Sequence, residues 1–196
     1  MYGHPLPPVY GQPPPILLII AATTVLLVYI LLIPKIPDYK IEDLSVKKFN
    51  VGPDKTIETN FILAIRAENP NTKISLNYGN NNEVTLSYED TVIGKGNIPA
   101  FTHGQENVTM INVWLSGKTQ LGSNQVESFH KNEQQGKIPL QYEAMVPISV
   151  NIFRFHLKKF TIKVTGDVTV DSINPDKKPK ILSTTYEFNI HKFFSL

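Results

Sequence analysis

Eighteen consecutive residues, Ile16 to Ile33, carry no charge, no amide and no glycine. As a helix this run spans about 27 Å at 1.5 Å per residue, close to the hydrocarbon thickness of a bilayer. It is apolar on every side, whereas a helix on a globular surface keeps a polar face. Its weakly polar members are Thr23, Thr24 and Tyr29. A Thr hydroxyl can bond back to a carbonyl one turn earlier, so lipid tolerates it. Pro13-Pro14-Pro15 stand before the run and Pro34 behind it. Proline is accepted at a helix start and blocks continuation. The pattern predicts a transmembrane helix over 16–34. A cleaved signal peptide is the competing reading, and it needs a basic stretch in front and small residues behind. Every Lys, Arg, Asp and Glu lies at or after Lys35, and Pro34-Lys35-Ile36-Pro37 follows the run. An uncleaved, single-pass signal-anchor is therefore expected.

The anchor divides the chain. Residues 1–15 hold six of the 15 prolines and no pattern that buries a face. They read as a disordered, Pro-rich tail, with Pro5-Leu6-Pro7-Pro8 as a possible docking string. Residues 35–38 form a short linker and 39–196 the folded domain.

The period of that domain is two. Ile57, Thr59, Phe61, Leu63, Ile65 and Ala67 alternate with more polar neighbours, and so do Val84, Leu86 and Tyr88. Phe160, Ile162, Val164, Val168 and Val170 repeat the pattern. Such alternation marks half-buried strands. Further strands are expected over 39–51, 107–115, 137–152 and 181–190. Turn chemistry separates them at Gly52-Pro53-Asp54, Asn69-Pro70-Asn71, Gly79 to Asn82, Gly94 to Asn97, His103-Gly104 and Asn174-Pro175-Asp176. Within Thr119–Gln135, Leu121, Val126 and Phe129 predict one short helix ended by Gly136. The fold class expected is all-β, an antiparallel β-sandwich.

Composition and motifs exclude much chemistry. With no cysteine there is no disulfide, thiolate metal site or cysteine nucleophile. A formal net charge of +2 gives no electrostatic case for nucleic acid. The chain has no GxxxxGK[ST] and no GxSxG string. Gly94-Lys95-Gly96 reads as a hairpin turn. His4, His103, His130, His156 and His191 show no ligand spacing and read as solvated or strand-surface side chains. Glu42-Asp43 and Glu89-Asp90 are adjacent acids, which a strand sends to opposite faces. Lys47-Lys48 is credible as a contact for anionic headgroups because it follows the linker closely. Lys158-Lys159 and Lys177-Lys178 with Lys180 read as solvated edges. No catalytic, cofactor or metal residue is assigned, and no enzyme is expected.

After the apolar run comes Tyr39-x-Ile41-x-x-Leu44-x-Val46-x-x-Phe49-x-Val51. A strand then ends in Ala67-Glu68-Asn69-Pro70-Asn71, and Gly94-x-Gly96-x-Ile98-Pro99-x-Phe101 follows. Over about residues 16–190 this resembles the plant late-embryogenesis-abundant group 2 family and its harpin-induced-like, disease-resistance-related membrane proteins. The resemblance implies an immunoglobulin-like or fibronectin-like sandwich and single-pass anchoring. It implies a cytosolic N-terminus and an extracytosolic domain at the plasma membrane or endoplasmic reticulum, with roles in pathogen response or dehydration stress. It implies no catalytic residues. This chain lacks the basic residues that members often place before the helix, and the cysteine that many carry in the strand matching Thr161–Val170.

The reading is a non-enzymatic, membrane-anchored interaction protein. Its partners are the bilayer and an unidentified protein or a second copy. The alternative is a lipid-binding or lipid-transfer module with a lipid ligand at the sandwich core or edge. Asn69, Pro70 and Asn71 read as a structural turn, since Pro70 removes a ladder donor and Asn71 tolerates positive φ. Asn107-Val108-Thr109 is the glycosylation candidate, at Asn107. Lys35, Lys40, Lys47 and Lys48 would by the positive-inside rule hold the domain in the cytosol, whereas the resemblance puts it outside.

Overall fold

The computed structural model describes residues 15–32, 35–152 and 155–193. The chain forms two units, Met1–Pro34 and Lys35–Leu196. The Pro-rich strip 1–14, with Pro5-Leu6-Pro7-Pro8 and His4, lies outside the described residues.

In the first unit, helix α1 covers Pro15–Leu32. The hydroxyl of Thr23 donates to the carbonyls of Ile19 and Ile20, and that of Thr24 to Ile20, at 2.7–2.9 Å. These back-bonds hide both hydroxyls within the helix. Side chains are described over 16–27, about 18 Å of helix. Among the described residues no helix is long and apolar enough to cross a membrane.

The second unit is built on antiparallel strands. They are β1 (Asp38–Val51), β2 (Thr56–Asn69), β3 (Ile74–Tyr78), β4 (Glu83–Tyr88), β5 (Thr91–Gly96), β6 (Phe101–His103) and β7 (Asn107–Gln120). After helix α2 (Ser123–Gln134) come β8 (Ile138–Ile152), β9 (Phe155–Val170), β10 (Ile181–Thr184) and β11 (Glu187–Phe193). Ladders run β1-β2-β7-β5-β4-β8. Strands β4 and β3 share one edge of β8 in succession, and β9 takes the other. The far edge of β9 carries β11 and then β10, and β10 returns beside β1. There Lys178 meets Asp43 at 3.4 Å and the Tyr186 hydroxyl donates to Asp38 at 3.4 Å.

The expected all-antiparallel class holds, but the layering differs from an immunoglobulin-type sandwich. One continuous sheet curls until it nearly closes as a barrel. The physical reason lies in the long strands. β1 and β8 carry register shifts at Ile41/Asp43, Val46/Lys48 and Ser149/Asn151. Such irregularities bend and twist a strand without ending its ladder. A strand of 14 to 16 residues can then wrap the core where two shorter ones would split into layers.

The core sits inside this curl. Ile57, Phe61, Leu63 and Ala67 face it from β2, as the alternation requires, and meet Val113 and Leu115 of β7. Helix α2 covers one end. Its N-terminus is held by Gln125, whose Oε1 accepts the Gly122 amide at 2.9 Å, and Gly136 at φ +62 ends it. Phe129 of α2 stacks on Phe49 and meets Tyr88 edge-on.

One turn assignment and one strand assignment are corrected. Gly94-Lys95-Gly96 belongs to strand β5. A Cβ on Gly96 would lie 1.9 Å from the Trp114 carbonyl oxygen, so this glycine permits close approach of β5 to β7. The actual hairpin turn is Glu89-Asp90, at φ 43 and 64, a primed two-residue turn between paired Tyr88 and Thr91. The expected 181–190 strand is broken at Thr185-Tyr186 into β10 and β11.

Candidate functional site

Asn69 and Asn71 are both buried. The Asn69 Nδ2 donates to the carbonyls of Ile74 and Gly104, at 2.8 and 2.7 Å. Its Oδ1 accepts from the Asn71 backbone at 3.1 Å and from Asn71 Nδ2 at 2.8 Å. All four positions of that carboxamide are used. Asn71 turns outward along the chain. Its Oδ1 accepts the Lys35 amide at 2.7 Å, and its Nδ2 donates to the Lys35 carbonyl at 2.8 Å. The Asn71 carbonyl accepts from Glu106 N at 3.0 Å. The expected turn is therefore a clamp joining the end of β2, the start of β3, the turn before β7 and the first residue of the folded unit.

A second clamp has the same chemistry. Buried Asn82 accepts the Ile98 amide at 2.6 Å and donates to the carbonyls of Ile98 and Gly79 at 2.7 Å. It fixes Ile98-Pro99 ahead of Phe101, whose ring stacks on Tyr78 at 4.4 Å between centroids. Beside them sits His103, fully buried rather than solvated as expected. Its Nε2 donates to the Asn107 carbonyl at 2.9 Å. His130 is exposed, 3.7 Å from Glu133.

Inside the curl lies an apolar cavity of about 60 Å³ between Tyr39, Ile41, Leu63, Tyr78, Val146 and Ile162. Its polar feature is the hydrogen bond between the Tyr39 and Tyr78 hydroxyls, at 2.5 Å. Burial pushes the Tyr39 phenol up to about 12, against the opposing pull of that bond. Burial, then the neighbouring Tyr39, raises Tyr78 further. Neither phenol can exchange protons near neutral pH. The cavity is far below the roughly 300–1,000 Å³ of a ligand site.

Outside, a groove of about 790 Å³ crosses β5, β4, β8 and β9. It carries Glu83, Glu143, Asp167 and Glu187, with Lys95 at 3.6 Å from Glu83 and Lys163 at 2.9 Å from Glu143. Among the described residues no group of three His, Cys, Asp or Glu side chains could hold a metal. The Tyr142 hydroxyl at the groove edge donates to the Thr185 carbonyl at 2.9 Å, and burial raises its phenol.

The remaining sequence candidates stand apart. Asn107 is exposed at the start of β7, paired with Asn69. Lys47-Lys48 lies far along β1 from its start, about 30 Å at roughly 3.3 Å per residue. Lys48 there pairs with Glu58 at 2.5 Å, which Lys118 also reaches at 3.0 Å. Closeness to the linker in sequence does not carry over to the fold of this unit, where Lys48 is held at the far end of β1. Sequence reasoning missed Asn82 and the Lys35 clamp, since a lone Asn in an Asn-rich loop carries no local signal for a contact many residues away.

Together these features define an all-antiparallel β protein whose buried Asn side chains brace its loops. The model of the late embryogenesis abundant protein family, group LEA_2, matches residues 64–177, and the chain belongs to that family. NDR1/HIN1-like protein 6 of Arabidopsis thaliana is 32% identical over 163 residues, 83% of this chain and 65% of that protein. The chain thus spans just under two thirds of that relative's length. Uncharacterized protein At1g08160 of the same plant is 25% identical over 162 residues, 80% and 73% of the two chains. The solution structure of Arabidopsis AT1g01470 covers 71% of this chain and 83% of its own, at 14% identity and a TM-score of 0.39. A crystal structure from Archaeoglobus fulgidus covers 79% and 100%, at 10% identity and a TM-score of 0.31. Both scores are too low to define a shared topology.

Proposed function

We propose that this chain is a non-enzymatic, membrane-anchored interaction protein of plant defence or abiotic stress response. The observation that carries the anchor is α1 itself. Ile16, Leu17, Leu18, Ile19, Ile20, Val25, Leu26 and Leu27 are all more than half exposed. An apolar surface of that extent requires a lipid or protein cover. A bilayer fits best, because the sequence run continues uncharged to Ile33 and the two Thr hydroxyls are already satisfied within the helix. Membership of the LEA_2 family supports the defence or stress role.

Extraction tests the anchor. Full-length protein stays in the membrane pellet through high salt and carbonate, because its retention is hydrophobic. Release by salt alone overturns this reading. Orientation is tested by protease treatment of sealed microsomes. With the N-terminus cytosolic the domain is protected, and its digestion without detergent reverses the orientation.

Support for an interaction role comes from the outer face of β7. Val108, Met110 and the sole tryptophan, Trp114, are 47%, 53% and 60% exposed at alternating positions. Aromatic and Met side chains of this kind are typical anchors of protein contacts. If a second copy covers them, Trp114 emission shifts to the red on dilution as the assembly dissociates. Invariant emission with a constant particle size excludes the second copy. The lipid-ligand alternative requires the 60 Å³ cavity to expand several-fold. Native mass spectrometry of the folded unit decides it, since co-purified lipid would favour that reading.

A further inference from the structure

The outer groove, at about 790 Å³, falls within the roughly 300–1,000 Å³ of a ligand site. The ladders set its lining in rows. Lys95 pairs with Thr85, Thr85 with Glu143, Glu143 with Thr165 and Thr165 with Glu187. These five side chains form one line across β5, β4, β8, β9 and β11, stepping about 4.8 Å per strand. Ser87, Gln141 and Asp167 form a second line beside it. Leu86, between Thr85 and Ser87, points the other way and is fully buried.

One wall of the groove is the break between β10 and β11 at Thr185-Tyr186. The Thr185 amide donates to the Asp167 carbonyl at 2.9 Å, and the Asp167 amide to the Thr185 carbonyl at 3.2 Å. The Tyr142 hydroxyl donates to that same carbonyl. A Cβ on Gly166 would lie 2.0 Å from the Thr185 carbonyl oxygen, so glycine lets this strap pass close over β9. The strap carries Tyr186, 51% exposed, into the lining of the groove. A tyrosine on a fixed backbone offers an apolar ring face at small entropic cost.

The lining selects a ligand chemistry. Val92 is its one aliphatic side chain, which disfavours an apolar molecule. Five acids against Lys95 disfavour an anion. The half-buried positions are mostly neutral hydroxyls, Thr85, Ser87 and Thr165, with Glu143 among them. Glu143 already holds Lys163 at 2.9 Å, and Glu83 holds Lys95 at 3.6 Å. Each such pair sets a strong acceptor beside a strong donor. A sugar hydroxyl both accepts and donates, so adjacent hydroxyls match these pairs and the Thr and Gln side chains between them. We infer that the groove is a binding site for a neutral oligosaccharide, with the two polar rows taking its hydroxyls and the Tyr186 ring taking a sugar face. The groove lies wholly within the folded unit, so this inference is independent of how the chain is anchored.

Calorimetric titration of the full chain, in a zwitterionic detergent free of sugar, tests it. Cellohexaose, xylohexaose and mannohexaose are the neutral probes, and hexalysine is the cationic one. At least one neutral probe should bind at millimolar concentration or below, with an affinity that added salt leaves unchanged. Tyr186→Ala should weaken that binding about three- to ten-fold, the worth of one aromatic contact. Thr85→Arg, which fills the middle of the first row, should abolish it. Trp114→Ala on the outer face of β7 should leave it intact. Binding of none of the neutral probes overturns the inference. Salt-sensitive binding of hexalysine alone also overturns it and makes the groove a site for a cation. Neutral binding indifferent to both groove variants places the sugar elsewhere and overturns it as well. If one groove variant fails to fold by circular dichroism, the other decides.

Discussion

The carboxamide of Asn71 holds both backbone groups of Lys35, accepting its amide at 2.7 Å and donating to its carbonyl at 2.8 Å. The pairing copies one rung of a β ladder with a side chain. It fixes the chain direction at the first residue of the folded unit, before β1 begins at Asp38. Asn82 holds Ile98 in the same way.

Loss of the Asn71 clamp should be measurable as stability. Asn71→Ala removes the Lys35 bonds and one bond to Asn69, and should cost about 1–3 kcal/mol. A fragment 34–196 should exceed a fragment 38–196 by a similar amount in chemical denaturation, because the shorter one lacks the partner. Equal stability of the two fragments would show that the clamp contributes nothing.

Gly96 should tolerate no side chain. The backbone carbonyl of Trp114 occupies the space of a Cβ, and backbone in a ladder cannot withdraw. Gly96→Ala should cost about 3 kcal/mol or more. Lys95→Ala beside it removes only an exposed pair at 3.6 Å and should change stability by less than about 1 kcal/mol. Similar effects at the two positions would contradict this packing of β5 on β7.

The Glu89-Asp90 turn is a site for stabilisation. Both residues sit at positive φ, a conformation that costs an ordinary residue about 1 kcal/mol or more. The double change Glu89→Asn with Asp90→Gly supplies the residues such a turn prefers and keeps the backbone carbonyl of residue 89 that accepts from Gln125. It should raise the unfolding midpoint, with a gain of about 1 kcal/mol.

Acid should weaken the strand pair β1–β2 at Glu58. Hydrogen bonds from Lys48 and Lys118, together with their charges, pull this carboxyl from 4.5 down to about 2. Its folded value lies below its unfolded value, so the stabilisation is present above the unfolded value and lost as pH falls through the folded one. Between about pH 4.5 and 2 the wild type should lose stability more steeply than Glu58→Gln. Parallel pH profiles of the two proteins would exclude this contribution.

Core truncation should follow the alternation on β2. Phe61 and Leu63 are fully buried, so either change to Ala should cost about 2–5 kcal/mol. Ile62, on the outer face opposite Trp114, should cost clearly less. Chemical denaturation of the three variants ranks them.

Local pattern by itself determined most of the long strands, which face of β2 is core, that a short helix precedes Gly136, and that Asn69-Pro70-Asn71 closes a turn. These follow from side-chain period and turn chemistry, which act over a few residues. The same pattern misread Gly94 to Asn97 as a turn, because glycine serves close backbone approach as well as it serves turns, and only the position of Trp114 distinguishes the two. It placed His103 at the surface, because nothing in the neighbouring residues records the aromatic rings that enclose it. Only the tertiary structure decided that one sheet curls nearly closed, that Asn71 reaches back to Lys35, and that Lys48 and Lys118 converge on Glu58. Each of these depends on how strands distant in sequence are set side by side, and alternation gives a strand its two faces but not its neighbours.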